Sequence, residues 1–308
     1  HVVDDVEEML AFPDLADPAL VLDVDPIALG LEEAEDLGRV GRLAEDVEIL
    51  GRPGDAGVAG EGIGAREQER MAGFVEQQLT WLNPVAQSWQ PSDLLPDLAA
   101  GHWSDAVRQL RERAAQLSDE VLVVLVGDTV TEEALPSYQT MINRHEGIAD
   151  ATGESDAPWA KWTRGWTAEE NRHGQLLNTY LYLCGRVNMR AVEITTQHLI
   201  RNGFDPKTAN DPYKGLIYTS FQERATRVSH GSVARLANKV GDPILGKMGN
   251  LIAGDEARHE EAYKSFVKKI LELDPAGGLI AFAEMMKARV TMPARLMADG
   301  VTPDLFER

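Results

Sequence analysis

Two short stretches of this sequence repeat a pair of residue types that could bind metal. They read EENRH at residues 169–173 and DEARH at residues 255–259. In a helix, residues i and i+3 lie about 60° apart around the axis and about 4.5 Å apart along it. Glu170 and His173 can therefore direct a carboxylate and an imidazole at one point. Glu256 and His259 can do the same, so the sequence predicts two matching Glu-x-x-His motifs on two helices.

One further glutamate precedes each motif on another predicted helix. Glu132 lies 38 residues before Glu170, and Glu223 lies 33 residues before Glu256. Helical bundles that bind two metal ions take one Glu from each of two helices and a Glu-x-x-His from each of two others. Four carboxylates and two neutral imidazoles carry a charge of about −4, which two divalent cations cancel, whereas buried carboxylates without metal are costly. The order Glu, Glu-x-x-His, Glu, Glu-x-x-His along the chain therefore predicts a two-metal site. The alternative is four solvated helix faces that match this order by chance.

The residue types also indicate which metal binds and how each ligand is used. Hard oxygen donors with imidazole suit iron or manganese, and they argue against a thiolate-bound zinc or an iron–sulfur centre. By the symmetry of the repeat, Glu170 and Glu256 should bridge the two ions, with Glu132 and Glu223 terminal. The acidic residue before each bridging Glu is placed to accept a hydrogen bond from the second ring nitrogen of a ligand His. These acceptors are Glu169 and Asp255.

Apolar spacing after residue 65 is helical throughout, and no strand pattern of any length appears. Four helices of 20 to 30 residues carry the candidate ligands, which is typical of one bundle domain spanning residues 66–308. Pro136, four residues after Glu132, should kink a helix that runs from about Ser118 to His145. The other predicted helices span residues 66–82, 104–117 (with Ser104 as N-cap), 157–187, 189–202, 213–240, 243–271 (with Asp242 as N-cap) and 276–290.

The first 65 residues differ in composition from the rest. They contain 17 acidic residues against three arginines, so they carry −14 of the chain's net charge of −20. Such a Gly/Ala-rich acidic leader cannot bury enough surface to offset its ordering entropy, and it is predicted to be disordered. The single cysteine, Cys184, fits a reducing compartment and core packing. No apolar run is long enough to cross a bilayer, and we expect neither membrane insertion nor a nucleic-acid partner.

Four longer motifs carry a resemblance to a known family. They are residues 126–140 (VGD to YQT), 162–174 (WTR to HG), 218–226 (YTSFQERAT) and 255–259. From about Met71 to about Phe306 the chain resembles the plant-type soluble acyl-acyl-carrier-protein desaturases. The resemblance implies an all-α, ferritin-like di-iron helical bundle with additional flanking helices. It implies an enzyme that uses two iron ions, O2 and reduced ferredoxin to place a cis double bond in an acyl chain on acyl carrier protein.

The resemblance also implies a cellular setting and an assembly. Members are usually homodimers in the plastid, the chloroplast stroma; the alternative location for this chain is the bacterial cytoplasm. Members continue beyond Arg308, so we expect this C-terminus to be truncated. Acyl carrier protein and ferredoxin are both acidic, so they should meet local basic patches. The candidate patches are Arg108, Arg111 and Arg113, and Lys264, Lys268 and Lys269.

Further site residues follow from the resemblance. Trp89 matches a Trp that packs near the metals, although it could simply fill the core. Asp255 matches the acceptor for His173, and Thr226 matches a hydroxyl on the O2 side of the metals. Equally, Thr226 could bond back to its own helix. The acyl tunnel positions are matched by Met141, His145, Pro206, Thr208, Gly215 and Leu216.

His145 departs from the family, which usually has an apolar residue at that tunnel position. A polar ring there predicts a preference for acyl chains shorter than eighteen carbons, because it shortens the space for the last methylenes. The alternative is that the helix turns His145 outward to solvent. The remaining histidines, including His230, lack a Glu partner three residues upstream and are expected on the surface or in packing. Arg172 and Arg258 could balance charge, although an exposed helix arginine is the commoner case.

Two other classes of protein share part of this pattern. A ferritin-like oxidase or the small subunit of ribonucleotide reductase has the same ligand order, and the reductase adds a tyrosine near the first ligands for radical storage. Tyr138, six residues after Glu132, is offset about 120° around the helix and is poorly placed for that role. A metal-free structural bundle is the third class, and the cost of burying carboxylates disfavours it.

Overall fold

The computed structural model describes residues 70–288, 290–302 and 305, which contain nine α-helices, several short 3-10 helices and no strand. The predicted leader, residues 1–65, lies outside these described residues. The all-α prediction is therefore confirmed. In chain order the helices are α1 (Ala72–Gln78), α2 (Trp103–Ala114), α3 (Asp119–Glu133), α4 (Leu135–Asn143), α5 (Pro158–Cys184), α6 (Met189–Asn202), α7 (Pro212–Val240), α8 (Pro243–Leu273) and α9 (Pro275–Ala288).

Four of these helices, α3, α5, α7 and α8, form the ferritin-like bundle. The last three contain 27, 29 and 31 residues, so each is about 40 Å or more in length at 1.5 Å per residue. Helices α7 and α8 pack along each other most extensively, and α3 packs on α5. The shorter helices flank this bundle, as the family resemblance implies.

The long helices begin at residues whose side chains cap free backbone N–H groups. Asp242 accepts a hydrogen bond from the backbone N–H of Leu245 (3.1 Å) and precedes Pro243, which confirms the predicted start of α8. Asp211 caps α7 in the same way. The prediction that Ser104 caps α2 is wrong, because the helix begins one residue earlier, after His102, without a side-chain cap.

Pro136 separates two helices rather than kinking one. Helix α3 ends at Glu133 and α4 begins at Leu135, with Ala134 between them at φ −81° and ψ 9°. Proline has no N–H to donate, and its ring clashes with the carbonyl four residues earlier, which here belongs to Glu132. The break places Glu132 in the last turn of α3, so the backbone after this ligand is free to change direction.

Two glycines bring the ligand helices close together. A Cβ on Gly174 would lie 3.3 Å from the backbone carbon of Glu132, and a Cβ on Gly249 would lie 2.7 Å from the backbone oxygen of His230. Both glycines are helical, so close approach rather than backbone conformation explains them. The α3–α5 and α7–α8 contacts at the site therefore depend on positions without a side chain.

Aromatic side chains fill the core beside the ligand helices. Trp162 lies edge-on to Tyr263 and Phe266, with ring centroids 5.7 and 5.1 Å apart. Cys184 is buried in a second apolar cluster, which agrees with its expected packing role. In the described residues no helix combines the length and apolar composition of a membrane span.

Candidate metal centre

The six predicted ligands converge at the centre of the bundle. Their ligand atoms form two groups, and within each group all atoms lie within 4.8 Å of one another. Glu170 and Glu256 belong to both groups, as expected of carboxylates that bridge two ions. The groups are Glu132, Glu170, His173 and Glu256, and Glu170, Glu223, Glu256 and His259.

The spacing within each group suits metal ions. The Nδ1 atom of His173 lies 3.3 Å from Glu256, 3.4 Å from Glu170 and 3.7 Å from Glu132. The Nδ1 atom of His259 lies 2.7 Å from Glu170 and 3.4 Å from Glu223. Ligand bonds of about 2.1 Å separate neighbouring donors by about 3.0 Å and opposite donors by about 4.2 Å. The donors therefore stand close to the positions that metal coordination requires.

Several of these atoms make no well-aligned hydrogen bond among the described residues, although other ligand atoms lie close to them. They are buried with side-chain exposures of 8% or less, and leaving such atoms without a partner costs about 1–3 kcal/mol each. These oxygen and nitrogen atoms each direct a lone pair into the same space between the helices, which is the arrangement that bound metal ions would need. These atoms are Glu170 Oε1, His173 Nδ1, both carboxylate oxygens of Glu256 and His259 Nδ1.

Protonation inside the cluster reflects competition between burial and neighbouring charges. Burial alone would lower the pKa of His173, but Glu170, Asp255 and Glu132 raise that pKa well above its usual value. Burial, together with Glu170 and Glu256, raises the pKa of Glu223 well above the ordinary range of a carboxyl. Bound protons thus supply the positive charge that the cluster needs in the absence of metal. Two divalent cations would displace these protons.

The second nitrogen of each ligand imidazole faces a buried carboxylate. The Nε2 atom of His173 lies 3.2 Å from Asp255 Oδ2, and that of His259 lies 3.0 Å from Glu169 Oε2. The backbone N–H of Asn83 donates to the other oxygen of Glu169 at 2.6 Å. Such partners keep the proton on Nε2 and direct the Nδ1 lone pair into the cluster. Both carboxylates lie where the repeat predicts them.

Two arginines hold these carboxylates. Arg172 donates to Asp255 (3.0 Å) and to the backbone oxygen of Trp89 (2.7 Å). Arg258 donates to Glu169 (2.9 Å) and also contacts Asp255. Of the two alternatives for these arginines, the structure shows charge balance rather than exposure: Arg172 is buried and Arg258 is half-buried. Their guanidinium groups are drawn in because two buried carboxylates need positive partners.

Trp89 joins this network to the protein surface. Its ring stacks on His173 with centroids 6.0 Å apart and an interplanar angle of 10°, and its N–H donates to Asp255 at 3.0 Å. The Arg172 guanidinium lies 4.6 Å from the ring centroid on a cation–π contact. The ring is partly exposed. Trp89 thus packs against the candidate ligand His173 from the surface side.

Thr226 lies one turn after Glu223 on α7. Its hydroxyl donates to the backbone oxygens of Gln222 and Glu223, both at 3.1 Å, so the back-bonded alternative describes this conformation. The side chain also lines a cavity of about 30 Å³ with Asp128 and Ser229. That volume suits one water molecule.

Three buried residues beside the ligands were missed by the sequence analysis. The Nε2 atom of buried His230 lies 2.8 Å from Glu132 Oε1, so the alternative that His230 lies on the surface is wrong, and its packing includes a polar contact to a candidate ligand. Burial opposes the shift, but Asp128 and Glu132 raise the pKa of His230 to about 9. Trp166 donates to Glu223 at 3.0 Å, and Tyr263 is fully buried one turn after His259. The available signal was spacing, since His230 follows Glu223 by seven residues and shares its helix face.

The predicted tunnel residues lie around the first turns of α7. His145 is only 1% exposed, so the alternative that it turns outward to solvent is wrong. A Cβ on Gly215 would lie 2.4 Å from its Nε2 atom, and the neighbouring Arg144 donates to the buried Thr208 at 3.2 Å. The remaining three of these residues, all buried, are Met141, Pro206 and Leu216.

Two clefts open along α4, and Pro136 lines both. One, of about 410 Å³, is lined by the candidate ligand Glu132 together with Gln139 and Asn171. The other, of about 320 Å³, is lined by Met141 and Phe204. The first cleft thus adjoins a candidate ligand, and the second adjoins one of the predicted tunnel residues, Met141.

The two expected basic patches are engaged within the chain. Arg111 donates to the backbone oxygen of Leu183 (2.9 Å), and Arg113 pairs with the buried Asp242 (3.2 Å). Arg108 pairs with exposed carboxylates on its own helix. In the second patch Lys264 and Lys269 pair with glutamates on α8. Only the exposed pairs can exchange for a partner's carboxylates at small cost.

Comparison with known proteins agrees with these observations. Stearoyl-acyl-carrier-protein 9-desaturase 6, chloroplastic, of Arabidopsis thaliana is 59% identical over 234 residues, which cover 75% of this chain and 60% of that protein. A stearoyl-acyl-carrier-protein 9-desaturase, chloroplastic, of Brassica napus is 57% identical over 238 residues, covering 77% and 60%. An acyl-acyl-carrier-protein desaturase, chloroplastic, of Cucumis sativus is 59% identical over 231 residues, covering 75% and 58%.

The match thus spans about three fifths of the length of these relatives. The model of the family described as fatty acid desaturase matches residues 68–308, which include every candidate ligand. The resemblance seen in the sequence motifs is confirmed, and the chain belongs to the fatty acid desaturase family.

Proposed function

We propose that this chain holds the catalytic centre of an acyl-acyl-carrier-protein desaturase. It would place a cis double bond in a saturated acyl chain on acyl carrier protein, with O2 and electrons from reduced ferredoxin. One observation carries the proposal: a buried six-residue donor set shares two carboxylates between two groups. This set lies in a chain 57–59% identical to proteins named as such desaturases.

Two iron ions are the proposed cofactors. Glu132 and His173 would hold one ion, Glu223 and His259 the other, and the two shared carboxylates, Glu170 and Glu256, would bridge them. Oxygen and imidazole donors without thiolate suit iron. When bound, the two irons would supply the oxidising power to remove hydrogen from an unactivated methylene, which no side chain can provide.

The protein's own contribution is position and dryness. All six ligands are buried, with exposures of 0–6%, so water is kept from the reacting carbon. Asp255 and Glu169 hold the protons on the outer imidazole nitrogens, which fixes both ligand rings. The broken helix after Glu132 and the adjoining cleft give an approach for an acyl chain from the α4 side.

We assign Trp89 and Asp255 to electron entry. The partly exposed indole stacks on His173 and shares Asp255 with that ligand, so one continuous contact leads from the surface to the metal position. Reduced ferredoxin is the proposed donor. Arg172, against the same indole, holds the contact in place.

Thr226 is the proposed hydroxyl on the O2 side of the metals. Its present hydrogen bonds are to carbonyls of its own helix, and a change in χ1 would free the hydroxyl to donate elsewhere. The small cavity beside it, which Asp128 and Ser229 also line, supports this assignment, because a water there could exchange with the hydroxyl.

The substrate site is proposed to run past Met141 and His145 to the first turns of α7. The buried ring of His145 against Gly215 would limit the space at that end, which favours acyl chains below eighteen carbons. Discrimination of this kind amounts to about 1–3 kcal/mol per methylene. The other proposed lining residues are Pro206, Thr208, Gly215 and Leu216.

A homodimer in the plastid is the proposed setting. The chloroplastic names of the relatives support the location, and the family resemblance supports the dimer. Acyl carrier protein and ferredoxin would dock by displacing exposed ion pairs such as Arg108 with Asp105 and Lys264 with Glu261.

One observation favours a second candidate, the small subunit of ribonucleotide reductase. Tyr263 is fully buried beside Trp162, with ring centroids 5.7 Å apart, and it interacts electrostatically with Glu223 and His259. A tyrosine in such a place could store a radical. A stable tyrosyl radical in the electron paramagnetic resonance spectrum of oxidised, iron-loaded protein would favour that class.

Product analysis tests the proposed function. Iron-loaded protein is given O2, reduced ferredoxin and acyl carrier proteins with acyl chains of fourteen, sixteen and eighteen carbons, and the fatty acids are analysed by gas chromatography. We expect a cis-monounsaturated product, none of it in Glu170→Ala. If protein that holds two irons yielded saturated acyl chains alone, that result would contradict the proposal.

A further inference from the structure

Three side chains outside the six ligands form a chain that ends on Glu132. The hydroxyl of Ser229 donates to Asp128 Oδ1 at 2.6 Å. The other oxygen of Asp128 lies 3.6 Å from His230 Nδ1, and His230 Nε2 lies 2.8 Å from Glu132 Oε1. His230 is 1% exposed and Glu132 is 5% exposed. The imidazole is thus sandwiched between two carboxylates inside the bundle.

Helix geometry fixes this arrangement. Asp128 lies four residues before Glu132 on α3, so both carboxylates stand on one face, towards α7. The backbone oxygen of His230 lies against Gly249 of α8, where even a Cβ would be 2.7 Å away. The position of the imidazole is therefore set by three helices at once.

The two carboxylate oxygens of Glu132 face different partners. Its Oε1 atom meets His230, while its Oε2 atom lies 3.7 Å from the Nδ1 atom of His173, on the metal side. With one oxygen held in this way, Glu132 would offer the other to a metal ion as a single donor.

The second terminal carboxylate has a different partner. Glu223 Oε1 accepts from the neutral indole N–H of Trp166 at 3.0 Å. Trp166 stands four residues before Glu170, and the matching position before Glu256 is Ile252, which has no donor. Conversely, the position seven residues after Glu132 that would match His230 is Gln139. The two halves of the internal repeat thus differ beside their terminal ligands.

We propose that His230, supported by Asp128, is a positioning residue that fixes the Glu132 carboxylate and makes the two metal positions unequal in affinity. The inference rests on the proposed two-metal centre. Partners that orient metal ligands typically contribute 10–100-fold to metal affinity. A single hydrogen bond from a neutral donor contributes about fivefold. The ion held by Glu132 and His173 should therefore depend strongly on His230, and its neighbour should depend weakly on Trp166.

Cobalt(II) titration of metal-free protein, in competition with a coloured chelator, measures this difference. The parent should bind two equivalents. In His230→Phe one equivalent should bind as in the parent and the other about 10–100-fold more weakly. In His230→Gln, whose amide can donate to Glu132, both equivalents should bind close to the parental affinity.

Trp166→Phe is the matched control, because it removes the donor to the opposite terminal carboxylate; it should weaken one equivalent about fivefold. Circular dichroism verifies folding. If His230→Phe does not fold, Asp128→Asn replaces it, and a weakening confined to one equivalent is expected. Parental affinity for both ions in the folded variant, or equal loss at both, would overturn the role of His230. A parent that binds fewer than two ions would instead overturn the metal centre.

Discussion

Replacing His145 tests both the electrostatics and the packing of the proposed acyl site. The ring is 1% exposed, and neither ring nitrogen has a well-aligned hydrogen-bond partner among the described residues. Burial and the neighbouring Arg144 lower its pKa from 6.5 to about 4, opposed by the nearby Asn210 backbone. The folded protein therefore holds a neutral imidazole here, whereas the unfolded chain takes up a proton at mildly acidic pH.

The sign and size of the effect follow from linkage. Because the pKa in the folded state is depressed, the unfolded state binds more protons between pH 6.5 and pH 4, and stability falls as the pH falls through that range. With pKa values of 6.5 and about 4, His145 should cost about 2 kcal/mol of unfolding free energy between pH 8 and pH 5. His145→Leu and His145→Gln both remove this titration. Leucine also removes two buried polar atoms, so it should be the more stable variant at pH 8.

Urea denaturation of the three proteins at equal metal loading, at pH 5, 6, 7 and 8, measures the effect. The stability of each variant relative to the parent should rise by about 2 kcal/mol from pH 8 to pH 5. The rise should be the same in both variants, since only the loss of titration produces it. A difference that stays constant across this range would refute the burial argument. An unchanged preference between sixteen- and eighteen-carbon substrates in His145→Leu would remove the ring from the proposed tunnel.

Three further predictions follow from particular contacts. Asp255→Asn should lower metal affinity about 10–100-fold, measured by chelator competition, because the amide no longer orients His173 as a carboxylate does; an unchanged affinity would exclude that role. Gly249→Ala should destabilise the protein by about 1–3 kcal/mol in urea denaturation, because the methyl group meets the backbone of α7. Gly254→Ala, with no atom within 4 Å, should gain up to about 1 kcal/mol, and equal effects would contradict the packing argument. Trp89→Phe should slow reduction by ferredoxin about tenfold in stopped-flow measurements without changing iron content, and an unchanged rate would exclude Trp89 from electron entry.

The convergence of the six candidate ligands could be predicted from sequence because helix geometry converts spacing into direction. Glu170 and His173 must share a helix face, because they stand at positions i and i+3. The internal repeat then identified the other helices that carry candidate ligands. The partners of those ligands were partly predictable for the same reason, since Asp255 and Glu169 adjoin the repeated motif. The helix boundaries near Asp242 followed from capping chemistry.

Contacts between helices were not predictable in the same way. His230 meets Glu132 across 98 residues of chain, and no spacing rule within one helix specifies which faces of α3 and α7 pack together. The sequence left open whether Arg172 and Arg258 balance charge or lie in solvent, because their burial depends on carboxylates from another helix. The outcome at Pro136 depended on tertiary packing, which decides whether a proline bends a helix or divides it.

Anomalous diffraction at the iron absorption edge, from crystals of iron-loaded protein, tests the central claim most directly. We predict two iron peaks about 3.5–4 Å apart. One should lie beside Glu132 and His173 and the other beside Glu223 and His259, with Glu170 and Glu256 between them. A single peak, or iron bound away from these six side chains, would contradict the assignment of a two-iron centre.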